Sequence, residues 1–291
     1  MTTKMRLDTL LAERGVFASR SRAAASVLAG EVLLGSDRRR AEKPGQLVPA
    51  DVEVDVAEAP DFVSRGGRKL ANALDAIGLD VAGRRALDVG ASTGGFTDCL
   101  LQRGAAHVVA LDVAYGELHW KIRNDERVTV LERANARRVE REQLPYAPDL
   151  LVADVSFISL TKVLPAVLAT MDERFDGLVM VKPQFEVGRE RVGKGGVVRD
   201  AADRRAALVA VGEAAHALGA SVLGFVSSGL PGPKGNRETF VRLAEGGRAG
   251  ALDELDSAAR EVEAEPAARG LGSVGRTRPE ARSSGLEEND E

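Results

Sequence analysis

Two charged residues each close an apolar run: Asp154 follows Leu150-Leu151-Val152-Ala153, and Lys182 follows Val179-Met180-Val181. Such runs read as buried strands of a parallel sheet, whose carboxyl ends form the edge where these sheets bind ligands. A lysine there is costly to bury unless it is paired, and Asp154 on a neighbouring strand is the natural partner. A plainer alternative stays open, in which the lysine snorkels and keeps its amine in water. Glu238 follows Pro231-Gly232-Pro233-Lys234-Gly235-Asn236-Arg237, just before the last apolar run at 239–243, and can reach the same edge.

A further strand end carries Leu87-Asp88-Val89-Gly90-Ala91-Ser92-Thr93-Gly94-Gly95-Phe96-Thr97-Asp98. A buried strand that breaks into a glycine-rich turn and then opens a helix is a common receiver of nucleotide-containing cofactors, although alone it is a weak signal. This turn lacks the lysine of a phosphate-binding loop, and GASTGG departs from GxGxxG. Asp112 ends the next strand, where a carboxylate can accept both ribose hydroxyls of an adenosyl group; a role as a helix cap before Tyr115 also stays open. The combination is compatible with S-adenosylmethionine, whose amino-acid end carries no phosphates. The candidate cofactor residues are Gly90, Ala91, Ser92, Gly94, Phe96, Asp112 and Asp154, with Asn135, after the third strand, placed to meet the adenine edge.

The methyl acceptor is narrowed by elimination. Methylation of exocyclic base nitrogens usually employs Asn/Asp-Pro-Pro-aromatic after the fourth strand, whereas this chain reads Asp154-Val155-Ser156-Phe157. Carbon-5 methylation of pyrimidines requires a cysteine nucleophile, and the sole cysteine, Cys99, falls on the helix after the glycine turn, where it is expected to face the core. An oxygen acceptor remains, with Lys182 and Asp154 at its centre.

These residues need a scaffold. Strands at 86–90, 107–112, 128–131, 150–154, 177–182 and 222–226 alternate with helices at 94–103, 116–123, 160–171 and 204–218, which predicts a parallel sheet covered on both faces. The strand at 239–243 follows its predecessor so closely that a hairpin and an antiparallel edge are expected. That is the seven-stranded pattern of a class I (Rossmann-like) α/β methyltransferase. Ahead of it, Arg68 to Asp80 places Leu70, Ala73, Leu74 and Ile77 on one helical face; Lys69 sits in the first turn, off that face, and is expected to be exposed.

The first sixty residues form a separate pattern. Leu7, Leu10 and Leu11 recur at helical spacing, Gly15 stops that helix, Ser19 or Ser21 can cap a second with Ala24, Val27 and Leu28 on its apolar face, and Gly30 ends it. Val32-Leu33-Leu34 and the alternating Leu47, Val48, Val52, Val54 and Val56 then predict a small sheet. The RLD, SRSRA and GEVLL segments resemble the small α+β alpha-L RNA-binding fold of a ribosomal small-subunit protein and several pseudouridine synthases, over residues 6 to 60. That resemblance implies RNA contacts by Arg6, Arg20, Arg22 and Lys43, with Arg38-Arg39-Arg40 nearby; as isolated residues they read equally as solvated charges.

The overall charge hides this. The net charge is -4, but residues 246–291 hold 6 Arg against 11 Asp and Glu, leaving 34 basic against 33 acidic residues in the rest. The first 43 residues carry 9 basic against 5 acidic side chains. Local sign matters more than the sum for a nucleic-acid contact. The three histidines, at 107, 119 and 216, and one cysteine offer no metal-ligand spacing, so no metal is expected. The absence of a long apolar run or a secretory signal predicts a cytoplasmic protein without a membrane partner.

SRGGRKL, LDVGASTGGFTD, LERANAR, VADVSFISL, VKPQFEVG, GKGGVVRD and LPGPKGN, taken together, resemble the TlyA family of ribosomal RNA 2'-O-methyltransferases, relatives of the FtsJ group that are often labelled hemolysins. The resemblance implies S-adenosylmethionine as cofactor, ribosomal RNA in subunits as partner, and a Lys-Asp-Lys-Glu tetrad at Lys69, Asp154, Lys182 and Glu238. The link before the catalytic domain, often Arg-Ala-Trp-Val in the family, reads Pro60-Asp61-Phe62-Val63 here. The expected organisation is an RNA-binding domain at 1–59, a linker at 60–68, a methyltransferase domain at 69–245 and a disordered tail at 246–291. Two other classes stand beside this reading: a membrane-active hemolysin, and a non-catalytic RNA-binding assembly factor.

Overall fold

The structure is a computed structural model that describes residues 4–28, 31–56 and 61–264. Contacts divide the chain between Asp61 and Phe62 into two units. Gly30, Pro60 and the part of the expected tail from 265 onward lie outside the described residues.

In the first unit, β1 (Lys4–Arg6) runs into α1 (Leu7–Glu13), followed by α2 (Arg20–Leu28), β2 (Val32–Leu34), β3 (Arg39–Arg40), β4 (Leu47–Pro49) and β5 (Val54–Val56). Gly15 adopts φ +68° after α1, and the Ser19 hydroxyl, rather than Ser21, accepts from Arg22 N at 3.2 Å to start α2. β1 pairs with β4, while β2 lies between β3 and β5, all antiparallel. Leu7, Leu10, Leu11, Ala23, Val27, Val32 and Val48 form its small core.

The second unit opens with α3 (Arg65–Ile77), so residues 65–68 are helix and not linker. The Ser64 hydroxyl accepts from Gly66 N at 3.3 Å and starts the helix, while Phe62 and Val63 pack onto the domain core; an apolar pair ahead of a capping serine explains why the link folds. Then follow β6 (Arg85–Val89), α4 (Gly95–Gln102), β7 (His107–Leu111), α5 (Trp120–Arg123), β8 (Val128–Leu131), β9 (Leu150–Ala153), α6 (Leu164–Leu168), β10 (Asp176–Val181), α7 (Ala201–Ala217), β11 (Ser221–Ser227), β12 (Thr239–Ala244) and α8 (Leu255–Ala264). The sheet order is β11-β12-β10-β9-β6-β7-β8. The antiparallel strand is therefore not the edge: β12 doubles back from β11 and inserts beside β10. Strand order reverses between β6 and β9, which creates a crevice at their carboxyl ends.

The tail also differs from expectation. Leu255, Ala259 and Val262 make a narrow apolar stripe that α8 buries against α7 and β11. Gly212 of α7 makes room for it, since a Cβ there would lie 2.7 Å from Leu255 Cδ1. A stripe this narrow looks weak in sequence, yet it suffices where a glycine provides a matching hollow.

Candidate active site

The cofactor turn depends on one close approach. Gly90 follows β6 at φ +84°, and a Cβ there would lie 2.7 Å from the carbonyl oxygen of Asp154, the residue after β9. Only glycine allows both the conformation and the contact. A second pair of glycines brings in α3: a Cβ on Gly67 would sit 2.8 Å from Gly95 O, so α3 and α4 touch backbone to backbone and the helix carrying Lys69 reaches the turn.

A cavity of about 480 Å³ lies beyond Gly90, lined by Ser92, Asp112, Asn135, Asp154 and Phe157 among others. Asp112 does not cap a helix, since α5 starts only at Trp120 with His119 as its cap; it closes a turn instead. Its Oδ2 accepts from Ser92 N at 2.7 Å and its Oδ1 from Ala114 N at 2.8 Å, and each carboxylate oxygen has a second lone pair for a ligand hydroxyl. The carbonyl oxygen of Asn135 accepts from Arg137 N at 3.0 Å, so a contact to a base would come from its NH2. Ala91, Ser92 and the rim of Phe96 line an adjoining cavity of about 410 Å³. Phe96 is otherwise a core residue, its ring tilted against that of Phe240 at 5.8 Å, and Gly94 lines neither cavity; at φ +91° it caps α4 beneath Leu118.

The 410 Å³ cavity also receives Lys69, Asp154, Ser156 and Lys182. Lys182 Nζ lies 2.5 Å from Asp154 Oδ1 and donates to Ser156 Oγ at 2.8 Å, so the lysine is paired and does not snorkel. Lys69 corrects the sequence expectation of exposure. It is 6% exposed and forms an ion pair with Glu238, itself 3% exposed, because α3 lies against the β11–β12 connection. Arg65 donates to Pro231 O at 2.9 Å and Asn72 to Ser228 O at 3.0 Å on either side of that pair. Removing one member of so buried a pair strands the other charge, at about 3–5 kcal/mol. Lys182 and Asp154 are more open, with side chains 12% and 23% exposed.

A third cavity, of about 320 Å³, continues from Ser156, Phe157 and Lys182 to Gln184, Lys234 and Glu238. Ser156 and Phe157 belong to a motif legible in the sequence, but their types alone point to no chemistry. Phe157 is 91% exposed, adopts φ +64° and lies 5.3 Å from the Phe185 ring. A bulky residue held in the left-handed region and in solvent marks a functional constraint. Glu186, also unforeseen, accepts from Ser159 Oγ at 2.5 Å and from Leu160 N at 2.9 Å, and burial raises its pKa. It joins the segment after β9 to the one after β10.

Cys99 is fully buried on α4, and burial pushes its thiol up to about 12, which agrees with its dismissal as a nucleophile. In the first unit, Arg6 and Arg20 converge on one carboxylate, Asp8, at 2.7 and 3.5 Å; the Arg6 hydrogen bond holds that carboxyl down at about 2. Arg22 and Lys43 are exposed. Arg38 and Arg39 pair with Asp55 and Asp37 at 2.7 and 2.8 Å.

Comparison with known proteins gives this arrangement a context. Residues 62–245 match the FtsJ-like methyltransferase family model. The 16S/23S rRNA (cytidine-2'-O)-methyltransferase TlyA of Mycobacterium tuberculosis is 49% identical over 84% of this chain and 91% of its own. Hemolysin A of Brachyspira hyodysenteriae is 41% identical over 67% of this chain and 81% of its own. A solved structure named as a hemolysin from Streptococcus thermophilus superposes with a TM-score of 0.67 at 35% identity, covering 90% of this chain and 96% of that one. With the matched region spanning the whole sheet and both lysine–carboxylate pairs, the chain belongs to the FtsJ-like methyltransferase family.

Proposed function

We propose that the protein transfers a methyl group from S-adenosylmethionine to the 2'-hydroxyl of a cytidine ribose in ribosomal RNA, acting on ribosomal subunits. The observation that carries this reading is the pairing of Lys182 with Asp154 and of Lys69 with Glu238 around connected cavities that begin at the glycine turn. The cytidine and the ribosomal RNA come from the activity named for the 49% identical relative.

The cleft suits the cofactor. Its volume falls in the range of small-molecule sites, Gly90 lets backbone approach closely, and Asp112 keeps lone pairs for a ribose. Gly90, Ser92, Asp112 and Asn135 would hold the adenosyl end, with Asp154 at the methionine end. When bound, S-adenosylmethionine supplies an electrophilic sulfonium methyl.

A ribose hydroxyl is a poor nucleophile at neutral pH, so the chain's own residues must align it and manage one proton. Lys182 orients the hydroxyl oxygen and eases its deprotonation. Asp154 and Ser156 fix the Lys182 amine from two sides, which removes rotamer freedom from a flexible side chain. Lys69 and Glu238 complete the polar wall and hold the nucleotide. Phe157, exposed at the junction of the two cavities, offers its face to an unstacked base. In the first unit, Arg6, Arg20, Arg22 and Lys43 dock structured RNA through phosphates and leave base choice to the catalytic site.

The test is transfer of tritiated methyl from labelled cofactor to purified ribosomal subunits, with the product mapped as a 2'-O-methylated nucleotide. Lys182→Ala is expected to fold and to bind cofactor while losing at least about 100-fold in rate. Normal methylation by that variant removes Lys182 from the mechanism. Labelled cofactor that yields no methylated RNA with the unmodified protein, while RNA binding persists, favours the assembly-factor reading. Among the described residues no helix is long and apolar enough to cross a membrane, and lysis of liposomes without methyl transfer would restore the hemolysin reading.

A further inference from the structure

The wall of the acceptor cavity is made by two glycine-rich loops, Gly193 to Arg199 and Pro231 to Glu238, which contribute Gly196, Gly232, Pro233, Lys234, Asn236 and Glu238. Loops of this composition have little core of their own, so something else must hold them. One device is Asn236, 2% exposed, whose Oδ1 accepts from Val198 N at 2.9 Å and whose Nδ2 donates to Gly196 O at 2.8 Å. It clips the loops to each other.

The second device comes from α8, beyond the region that matches the family model. Glu263 has a side chain only 6% exposed, and its Oε2 accepts from Arg204 Nε at 2.7 Å and lies 2.6 Å from Arg204 Nη2. Arg204, at the start of α7, also donates to Arg199 O at 2.7 Å and Val198 O at 3.4 Å in the first loop. Arg237, in the second loop between Asn236 and Glu238, donates to the Glu263 carbonyl oxygen at 2.8 Å and lies 3.5 Å from its carboxylate. Glu263 thus joins both loops to a packed helix, the first through its carboxylate and the second through its carbonyl oxygen and a longer carboxylate contact, and through Arg237 it lies one residue from Glu238, the partner of Lys69.

We propose that Glu263 is a positioning residue for methyl transfer: α8 is part of the acceptor site, and its carboxylate holds the two loops in the register that keeps Glu238 on Lys69 and the cavity open to a nucleotide. The inference rests on the methyltransferase reading and extends it to a segment outside the matched domain. A buried, doubly bonded charge-assisted clamp fixes geometry in a way that exposed surface pairs do not. Neither loop lines the 480 Å³ cleft beyond Gly90, and of the two loops only Pro233 reaches the adjoining 410 Å³ cavity, so the clamp acts chiefly on the acceptor side.

Glu263→Gln keeps the shape and the backbone acceptor of Arg237, but removes the charge that holds Arg204 and draws in Arg237. The expected result is a folded protein by circular dichroism, cofactor affinity within about twofold of the unmodified protein, and methyl transfer to ribosomal subunits down by about tenfold or more at saturating cofactor. Hydrogen exchange at 193–199 and 231–238 is expected to speed up, a readout independent of activity. Glu261→Gln, exposed on the same helix, serves as the unaltered control. Unchanged loop exchange or unchanged methyl transfer in Glu263→Gln overturns the inference, as does a parallel loss of cofactor binding and transfer. If Glu263→Gln does not fold, Arg237→Gln must reproduce the split between cofactor binding and transfer; if it also fails to fold, Glu263 is a folding residue and the inference is wrong. An unmodified protein that transfers no methyl group condemns the methyltransferase reading, whereas the exchange experiment still judges the clamp.

Discussion

Asp88 sits two residues before Gly90, wholly buried, with Oδ2 accepting from Thr97 Oγ1 at 2.6 Å and Oδ1 without a hydrogen-bond partner among the described residues. Burial pushes its carboxyl up to about 7, helped by the nearby charges of Asp154 and Asp112. In the unfolded chain the same group titrates near 3.8. Between those values the folded protein holds a proton that the unfolded chain has released, so stability falls as pH rises from about 4 to about 7. The full swing is on the order of 4 kcal/mol for one group at about 1.4 kcal/mol per unit. Asp88→Asn, neutral at every pH, is expected to flatten that slope and to gain stability at pH 8 relative to the unmodified protein, measured by urea unfolding at pH 5 and pH 8. Equal slopes for the two proteins would mean that Asp88 ionises normally. The position matters because Asp88 and Thr97 tie β6 to α4 across the glycine turn.

At the scale of elements, the site is built where strand ends face each other, and Glu186 is the brace between two of them. Its carboxylate joins the loop after β9, which carries Asp154, Ser156 and the strained Phe157, to the turn after β10, which carries Lys182. Glu186→Ala removes both bonds and is expected to cut methyl transfer by about 10- to 100-fold, since small misplacements cost that much in an aligned displacement. Glu186→Gln keeps an acceptor for Leu160 N and a partner for Ser159, and is expected to stay within about threefold. Equal activity of both variants would show that the loop holds itself. The strand ends were readable in sequence because an apolar run closed by a charge, as at Asp154 and Lys182, marks a buried strand arriving at a ligand-binding edge. Lys69 was not, because its burial depends on Glu238, 169 residues away, and a local helical pattern carries no trace of that partner. The same reason hid α8: its buried stripe has only Leu255, Ala259 and Val262, and Glu263 reads as a surface charge until Arg204 and Arg237 are found beside it. Asp112 was readable in type and place, but the helix it was read as capping starts only at Trp120, and its carboxylate closes a turn at Ala114 and holds Ser92 N instead.

For the whole molecule, charge is unevenly placed, and this sets how the first unit is expected to behave toward RNA. A net charge of -4 would oppose a polyanion, yet the first 43 residues hold 9 basic and 5 acidic side chains. Not all of those cations are equally available. Arg6 and Arg20 share Asp8, and Arg38 and Arg39 face carboxylates of their own. Replacing Arg6 also leaves the buried Asp8 with Arg20, at 3.5 Å, as its remaining cation beside the bonds from Thr9, which mixes a folding effect into any binding measurement. Arg22 is exposed on α2 and gives the cleaner test. If it contacts a phosphate, Arg22→Ala should weaken binding to ribosomal subunits and lower the slope of log affinity against log salt by about 0.7–0.9 over roughly 50 to 200 mM potassium chloride. The Michaelis constant for subunits should rise with it, while the rate at saturating subunits stays unchanged, because phosphate contacts position the RNA without touching the reacting oxygen. An unchanged salt slope would make Arg22 an ordinary solvated charge. A lowered saturating rate would mean that this unit contributes to the chemical step as well as to docking.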